Sequence, residues 1–216
     1  MDIGNTLADE IAYAFALAED TAGFVGTSLS SQGGITGVTA RLKGLSSTYA
    51  DIAGVKVATD NLISELDLVD YQALVGILPE FADTPNAKWF VHRYVFYNSM
   101  VTVAQAAGGT TTTELINGVR TPMFLGYPVV FTQVMPKTDA NSQVVALLGD
   151  LSLAADLGDR RQINIQTDTS VGFASDQIAV RGTQRYDINV HDVGNATATA
   201  ADKAAGPIVG LMSAAS

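Results

Sequence analysis

The sequence predicts an α+β chain in which an opening helix and a set of closing strands share one unit and the middle of the chain is inserted as a second. Three observations predict it. Helical periodicity is confined to the start and the middle, and period-two patterning to the part after Pro136. Between them lies "FLGYPVVFTQVMP", an uncharged run from Phe124 to Pro136 broken by Gly126, Pro128 and Pro136. A helix at the start and strands at the end have to meet to bury their apolar faces, which makes the first unit discontinuous.

The opening helix is read from "TLADEIAYAFALAEDTAGFVG". Thr6 is placed to cap it, with Asp9 and Glu10 in the first turn, and Leu7, Ile11, Phe15, Ala18, Ala22 and Val25 recur at helical spacing. Gly26 ends it, and Ser28 to Val38 reads as a loop with paired glycines at 33 and 34. A second helical face is expected in "DNLISELDLVDYQAL", from Leu62, Ile63, Leu66, Val69 and Leu74. "AKWFVHR" reads as a short buried strand, and "YVFYNSMVTVAQAAGG" as a helix stopped by Gly108 and Gly109. The β-branched, polar run Thr110 to Thr113 suggests an exposed loop or ribbon.

After Pro136 three strands are expected. "QVVALLGDLS" is the first, and "RQINIQTDT" alternates Ile163 and Ile165 with polar neighbours. "QIAVRGTQRYDINVHD" is longer than an ordinary strand and reads as part of an extended edge or ribbon. In the alanine-rich tail only "PIVGLM" is apolar enough to pack.

Composition narrows the chemistry. The chain has 216 residues, 47% of them hydrophobic, enough for a substantial core. Its formal charge of −10, from 22 acidic and 12 basic residues, supplies no overall attraction to a phosphate backbone. There are no cysteines, so thiolate metal sites, disulfides and a cysteine nucleophile are excluded together. The two histidines, His92 and His191, lie in no ligand-spaced cluster, and no metal site is expected. No uncharged run is long and unbroken enough to span a bilayer, and no basic segment followed by an apolar one opens the chain; synthesis in the cytoplasm follows as the expectation.

Motifs for nucleophilic or phosphate chemistry are missing: there is no Gly-x-Ser-x-Gly elbow, no Gly-x4-Gly-Lys loop and no Gly-x-Gly-x-x-Gly turn. Asp150, Asp156 and Asp159 beside Arg160 and Arg161 form the one carboxylate group that resembles an acid/base pair, as a small acidic hydrolase would need. The stronger reading of these aspartates is as turn residues that satisfy backbone donors. His92, between Val91 and Arg93, reads as a hydrogen-bonded structural histidine. No catalytic residue and no cofactor are assigned, and packing and partners remain as the function.

The order of these stretches resembles the tailed-phage major capsid protein family, with the Hong Kong 97-type fold. "LADEIAYAFALAEDTAGFVG" looks like its long spine helix, leading to a glycine-rich turn and Gly34-Ile35. "VVALLGDLSLAADLGDRRQINIQTD" looks like its strand, Gly-Asp turn and basic pair. "FASDQIAVRGTQRYDINVHD" resembles its closing strand, with Phe173, Asp176, Gln177, Arg181, Arg185 and Asp187 in familiar places. In the resemblance "FLGYPVVFTQVMP" joins an inserted axial domain back to a peripheral one: Gly126 turns the chain, Pro128 starts a strand buried on both faces, and Met135-Pro136 closes it.

The resemblance implies a peripheral domain from residues 1–58 and 136–216, holding the spine helix and the extended strands. Residues 59–135 form the inserted axial domain. It implies a structural subunit, not an enzyme, that self-assembles as pentamers and hexamers into an icosahedral shell around double-stranded DNA without reading its sequence. Scaffolding or portal proteins are implied as partners, no membrane is, and the virion is its place. Gly108, Gly109, Thr110, Thr111, Thr112 and Thr113 would form the axial loop around the fivefold and sixfold centres. Thr167 to Ser175 would be the peripheral loop near local threefold points, with Asp168, Asp176, Arg181, Arg185 and Asp187 as interface charges. Family members usually carry an N-terminal arm and an extended loop before the spine helix, whereas this chain opens on the helix, so either the shell does without these clasps or, the preferred reading, Met1 is a truncated start. Where some members join a lysine to an asparagine with a glutamate's help, this sequence has Asp176 and Thr183 at the latter two positions, and no crosslinking is expected. An encapsulin-type nanocompartment, which shares the fold and holds cargo enzymes, is the alternative reading.

Overall fold

The computed structural model describes residues 3–109, 113–116, 119–172, 175 and 177–215. The chain opens on α1 (Ile3–Val25), a turn earlier than a cap at Thr6 would allow. No proline interrupts Ile3 to Thr6, and a single glycine costs a helix only about 1 kcal/mol, so the helix runs through. Gly26 ends α1 as the sequence predicts. A side chain there would strike the backbone, since a Cβ would stand 2.3 Å from the Ala22 carbonyl oxygen. The loop then closes on itself, with the Gly37 amide donating to the Gly26 carbonyl at 2.9 Å, and leads into α2 (Val38–Lys43).

Seven strands form one mixed sheet: β1 (Val55–Val57), β2 (Lys88–Val91), β3 (Thr113–Ile116), β4 (Val119–Phe124), β5 (Tyr127–Phe131), β6 (Val144–Gly149) and β9 (Ile208–Met212). Their order is β1-β9-β6-β2-β5-β4-β3, with β1 parallel to β9 and β2 parallel to β5. Alternation in β2 divides the core. Trp89 and Val91 join Tyr71, Phe124, Leu148 and Val209 on one face, while Phe90 joins Leu42, Leu147 and Ile208 on the other. The first face is covered by α3 (Leu68–Ile77) and by α4, a helix over residues 93–106 with a π-helical turn at Phe96–Met100. The second is covered by α2, where Leu42 is fully buried, and by Phe24 at the end of α1, whose ring lies 5.7 Å from that of Phe90.

The remaining two strands, β7 (Ala155–Gly172, 18 residues) and β8 (Gln177–Val190, 14 residues), form a separate antiparallel ribbon. The ribbon length foreseen for the closing strand is realised. α1 lies on this ribbon: a Cβ at Gly182 would stand 2.9 Å from Ile11 and 3.0 Å from Phe15, and one at Gly23 would stand 3.2 Å from Ile188. The Gln184 amide donates to Glu19 across the same contact. The opening helix and a closing strand therefore meet, as their order in the chain requires.

Three expectations change. β6 and β9 sit beside β2 in the large sheet, so a boundary at residue 136 does not coincide with a change of sheet. All six residues of β6 and all five of β9 are buried, and such strands need two covered faces, which the ribbon does not offer. Next, the helix expected from Leu62 begins only at Leu68. Its buried residues are Asp70, Tyr71 and Leu74, while Val69 is 69% exposed, because Ile63–Glu65 makes a single separate 3-10 turn. Finally, β5 is half-buried instead of covered on both faces. Val129 is buried but Val130 faces outward, and the strand ends at Phe131, two residues short of the expected "VVFTQ". Leu125 (φ 48°) and Gly126 (φ 86°) form the two-residue turn from β4 to β5, both residues being left-handed as a tight hairpin requires.

Candidate assembly surface

The residues with candidate roles divide between the end of α4 and the ribbon. Gly108 and Gly109 both have φ of 89° and end α4, the Gly109 amide donating to the Ala104 carbonyl at 3.0 Å. They are exposed. Thr110, Thr111 and Thr112 lie outside the described residues, and Thr113 opens β3 opposite Pro122.

On the ribbon, register decides which side chains share a face. Gln166 pairs with Arg181 and Asp168 with Ala179, so Asp168, Arg181, Arg185 and Asp187 fall on one polar face, all exposed. Asp176 lies outside the described residues. Asp168 is held locally: the Ser170 hydroxyl and amide donate to it at 2.6 and 2.7 Å and keep its carboxyl below the ordinary range. Among the described residues neither Arg181 nor Arg185 forms an ion pair; Lys56 and Asp70 do, at 3.5 Å, and His191 lies 3.5 Å from Asp156. The opposite face carries Leu157, Ile165, Val180 and Ile188. α1 covers it only in part, leaving Leu157 62% exposed and, toward the ribbon tip, Ile178 66% exposed.

The carboxylate group that suggested acid/base chemistry is dispersed. Asp150 is buried, accepting from the Thr84 hydroxyl at 2.6 Å, the Ser152 hydroxyl at 2.6 Å and the Ser152 amide at 2.9 Å. Burial alone would raise its pKa, but these hydrogen bonds more than offset that and hold it below the ordinary carboxylate range. It caps the helical turn Leu151–Ala154. Asp156 pairs with His191 across the base of the ribbon, and Asp159 is exposed further along β7. The turn role that composition favoured for Asp150 is the one the geometry gives it. His92 is likewise structural, its Nδ1 accepting from the Tyr94 amide at 3.0 Å at the start of α4. Burial, together with the charge of Lys137, lowers its pKa.

Among the described residues no three His, Asp or Glu side chains gather as a metal site, and no helix is long and apolar enough to cross a membrane. One feature escaped sequence reading: Arg160 and Arg185 come together with the loop after α1 in a cleft of about 480 Å³. The only sequence signal was the Arg160-Arg161 pair, and nothing in its spacing pointed to residues more than a hundred positions earlier.

The model of the phage capsid family matches residues 1–198. The chain belongs to the phage capsid family. Solved structures agree on the fold. The "capsid of empty GTA particle computed with C5 symmetry" superposes with a TM-score of 0.64 at 20% identity, over 99% of this chain and 67% of that one. A structure from Mycobacterium phage Adephagia gives 0.59 at 17% identity, covering 100% and 66%. One from Mycobacterium phage Bobi gives 0.58 at 18%, covering 97% and 66%. The chain thus spans about two thirds of the length of these capsid chains. No curated protein matches it. In this phage capsid family member the Hong Kong 97-like α+β fold is carried by the seven-stranded sheet and the α1-covered ribbon.

Proposed function

We propose that this chain is a major capsid protein whose copies, arranged as pentamers and hexamers, close an icosahedral shell around double-stranded DNA. Membership of the capsid family supports the subunit role. The observation that carries the finer reading is the ribbon. Strands of 18 and 14 residues exceed ordinary lengths, and an isolated two-stranded ribbon is marginal in water. This one leaves Val171, Ile178 and Leu157 exposed on one side and, on the other, Arg181 and Arg185 with no ion-pair partner among the described residues. Such a surface is stable when neighbouring copies cover it, and rotational symmetry repeats one moderate contact around every axis.

The end of α4, with Gly108 and Gly109, supplies small residues suited to crowding around a five- or sixfold axis, and the ribbon tip meets other copies at threefold points. The subunit performs no catalysis and forms no isopeptide bond. Scaffolding and portal proteins are its partners in assembly, and the virion is its destination. A net charge of −10 suits an inner wall that does not adsorb packaged DNA.

Negative-stain electron microscopy of protein expressed from its complete gene tests this reading. Closed particles of icosahedral outline that protect DNA from nuclease are expected. Dispersed monomers at every salt and protein concentration would overturn the proposal, and shells filled with protein cargo would overturn its genome half.

A further inference from the structure

The cleft between the ribbon and the loop after α1 is built differently from the rest of the surface. One wall is the polypeptide at Ser31, Gln32 and Gly33; the other is Arg160 of β7 with Arg185 and Asp187 of β8. The backbone register sets Arg161 directly opposite Arg185, and the pairing shifts on both sides of Arg161, between Asp159 and Arg161 and again before Asn164. Bulges re-aim side chains and sharpen the local twist. Arg160 and Arg185 therefore stand at an irregular stretch of the ribbon.

The charged groups around this cleft are short of partners. Among the described residues neither Arg160 nor Arg185 has an ion-pair partner. Gln32 spends its carbonyl oxygen on Thr27, accepting from the backbone amide at 2.7 Å, and its own amide protons have no partner among the described residues. The cleft thus offers two guanidinium groups and a side-chain amide as donors, opposed by the carboxylate of Asp187 and by the Gln184 carbonyl oxygen, which has no partner among the described residues.

From this geometry we infer that the cleft receives a carboxylate side chain of a second copy of the same protein, held between Arg160 and Arg185. The inference rests on the shell reading above. Two guanidinium groups against one aspartate leave an excess of one positive charge, which matches a single carboxylate better than a polyphosphate. The chain carries 22 acidic residues against 12 basic ones, so a neighbouring copy brings carboxylates to any contact. Arginine's planar fork binds a carboxylate through two parallel hydrogen bonds, so such a pair sets register between copies as well as attracting them.

A zero-length crosslink reads this contact directly. The variant Arg160→Lys/Arg185→Lys keeps both charges and introduces amines that a carbodiimide couples only to a carboxylate in contact. Particles assembled from a mixture of isotopically light and heavy subunits would be treated and mapped by mass spectrometry. An amide joining position 160 or 185 of one copy to an Asp or Glu of another is the expected result, absent when the wild-type protein is treated alike. Particles in which these amines stay uncoupled, or couple only to Asp187 of their own copy, overturn the site and leave the shell reading standing. Amines shielded only in DNA-filled particles would assign the cleft to phosphate and overturn it equally. Failure to form any particle in the wild type overturns both. Either single substitution carries the same test if the double variant does not fold.

Discussion

The seven-stranded sheet and the β7–β8 ribbon are built from similar strand-forming residues and end in opposite conditions. In the sheet, Trp89 is fully buried. It donates from its ring nitrogen to the Phe124 carbonyl at 3.0 Å and packs edge-on against Tyr71 and Phe124. Between the helices that cover it, the buried Tyr71 hydroxyl of α3 and Ser99 hydroxyl of α4 meet at 2.7 Å, and burial pushes the Tyr71 pKa upward. The ribbon has one helix on one face and exposed side chains along most of its length. The sheet thus carries the fold of a single subunit, while the ribbon presents exposed apolar groups and arginines that have no ion-pair partner among the described residues.

The largest effect expected from this contrast lies in the sheet. Trp89→Ala removes the centre of the aromatic cluster and is expected to cost about 3–5 kcal/mol, measured from urea unfolding. A loss below about 1 kcal/mol would show that the sheet is not the stability core. A smaller effect is expected where helix and ribbon touch. Gly182→Val drives a branched side chain into Ile11 and Phe15, an overpacking worth about 1–3 kcal/mol. Hydrogen exchange should quicken in α1 and β8 and stay unchanged in β6 and β9. Equal loss of protection in both regions would mean that sheet and ribbon unfold as one unit and would remove the distinction.

The smallest effect is tied to pH. Asp150→Ala removes a cap and leaves the Thr84 hydroxyl without its acceptor, at a cost of about 1–2 kcal/mol near neutral pH. Because the folded-state pKa of Asp150 lies below its ordinary value of 3.8, its ionised form contributes stability at neutral pH. That contribution is lost as the pH falls from the ordinary value through the lower folded one. The gap between wild type and variant should therefore narrow in that acid window. A gap that stays constant down to acid denaturation would show that the charge on Asp150 contributes nothing.

Much of this was legible in the sequence, for reasons that differ by element. The end of α1 at Gly26, the stop of α4 at Gly108 and Gly109, and the β7–β8 alternation rest on local backbone chemistry and on a repeat that survives any packing. Val69, on the expected helical face, is exposed because a short apolar window fits a helical face in more than one phase, and only the start at Leu68 selects the phase. The charges proposed for an interface were readable as residues, and Asp168, Arg181, Arg185 and Asp187 do share a face. The cleft that joins Arg185 to Gln32 was not readable, because it depends on the loop after α1 folding beside the ribbon.

By itself the sequence determined the α+β class, the long opening helix, the extended closing strands and the family. Each of these follows from periodicity, from glycine and proline as local signals, and from their order along the chain. Tertiary structure alone decided that β6 and β9 leave the ribbon to flank β2, since strand pairing is a choice among distant partners that local patterning does not encode. It also decided which arginines lack an ion-pair partner among the described residues, because a charge is satisfied only by what the folded chain places within reach of it.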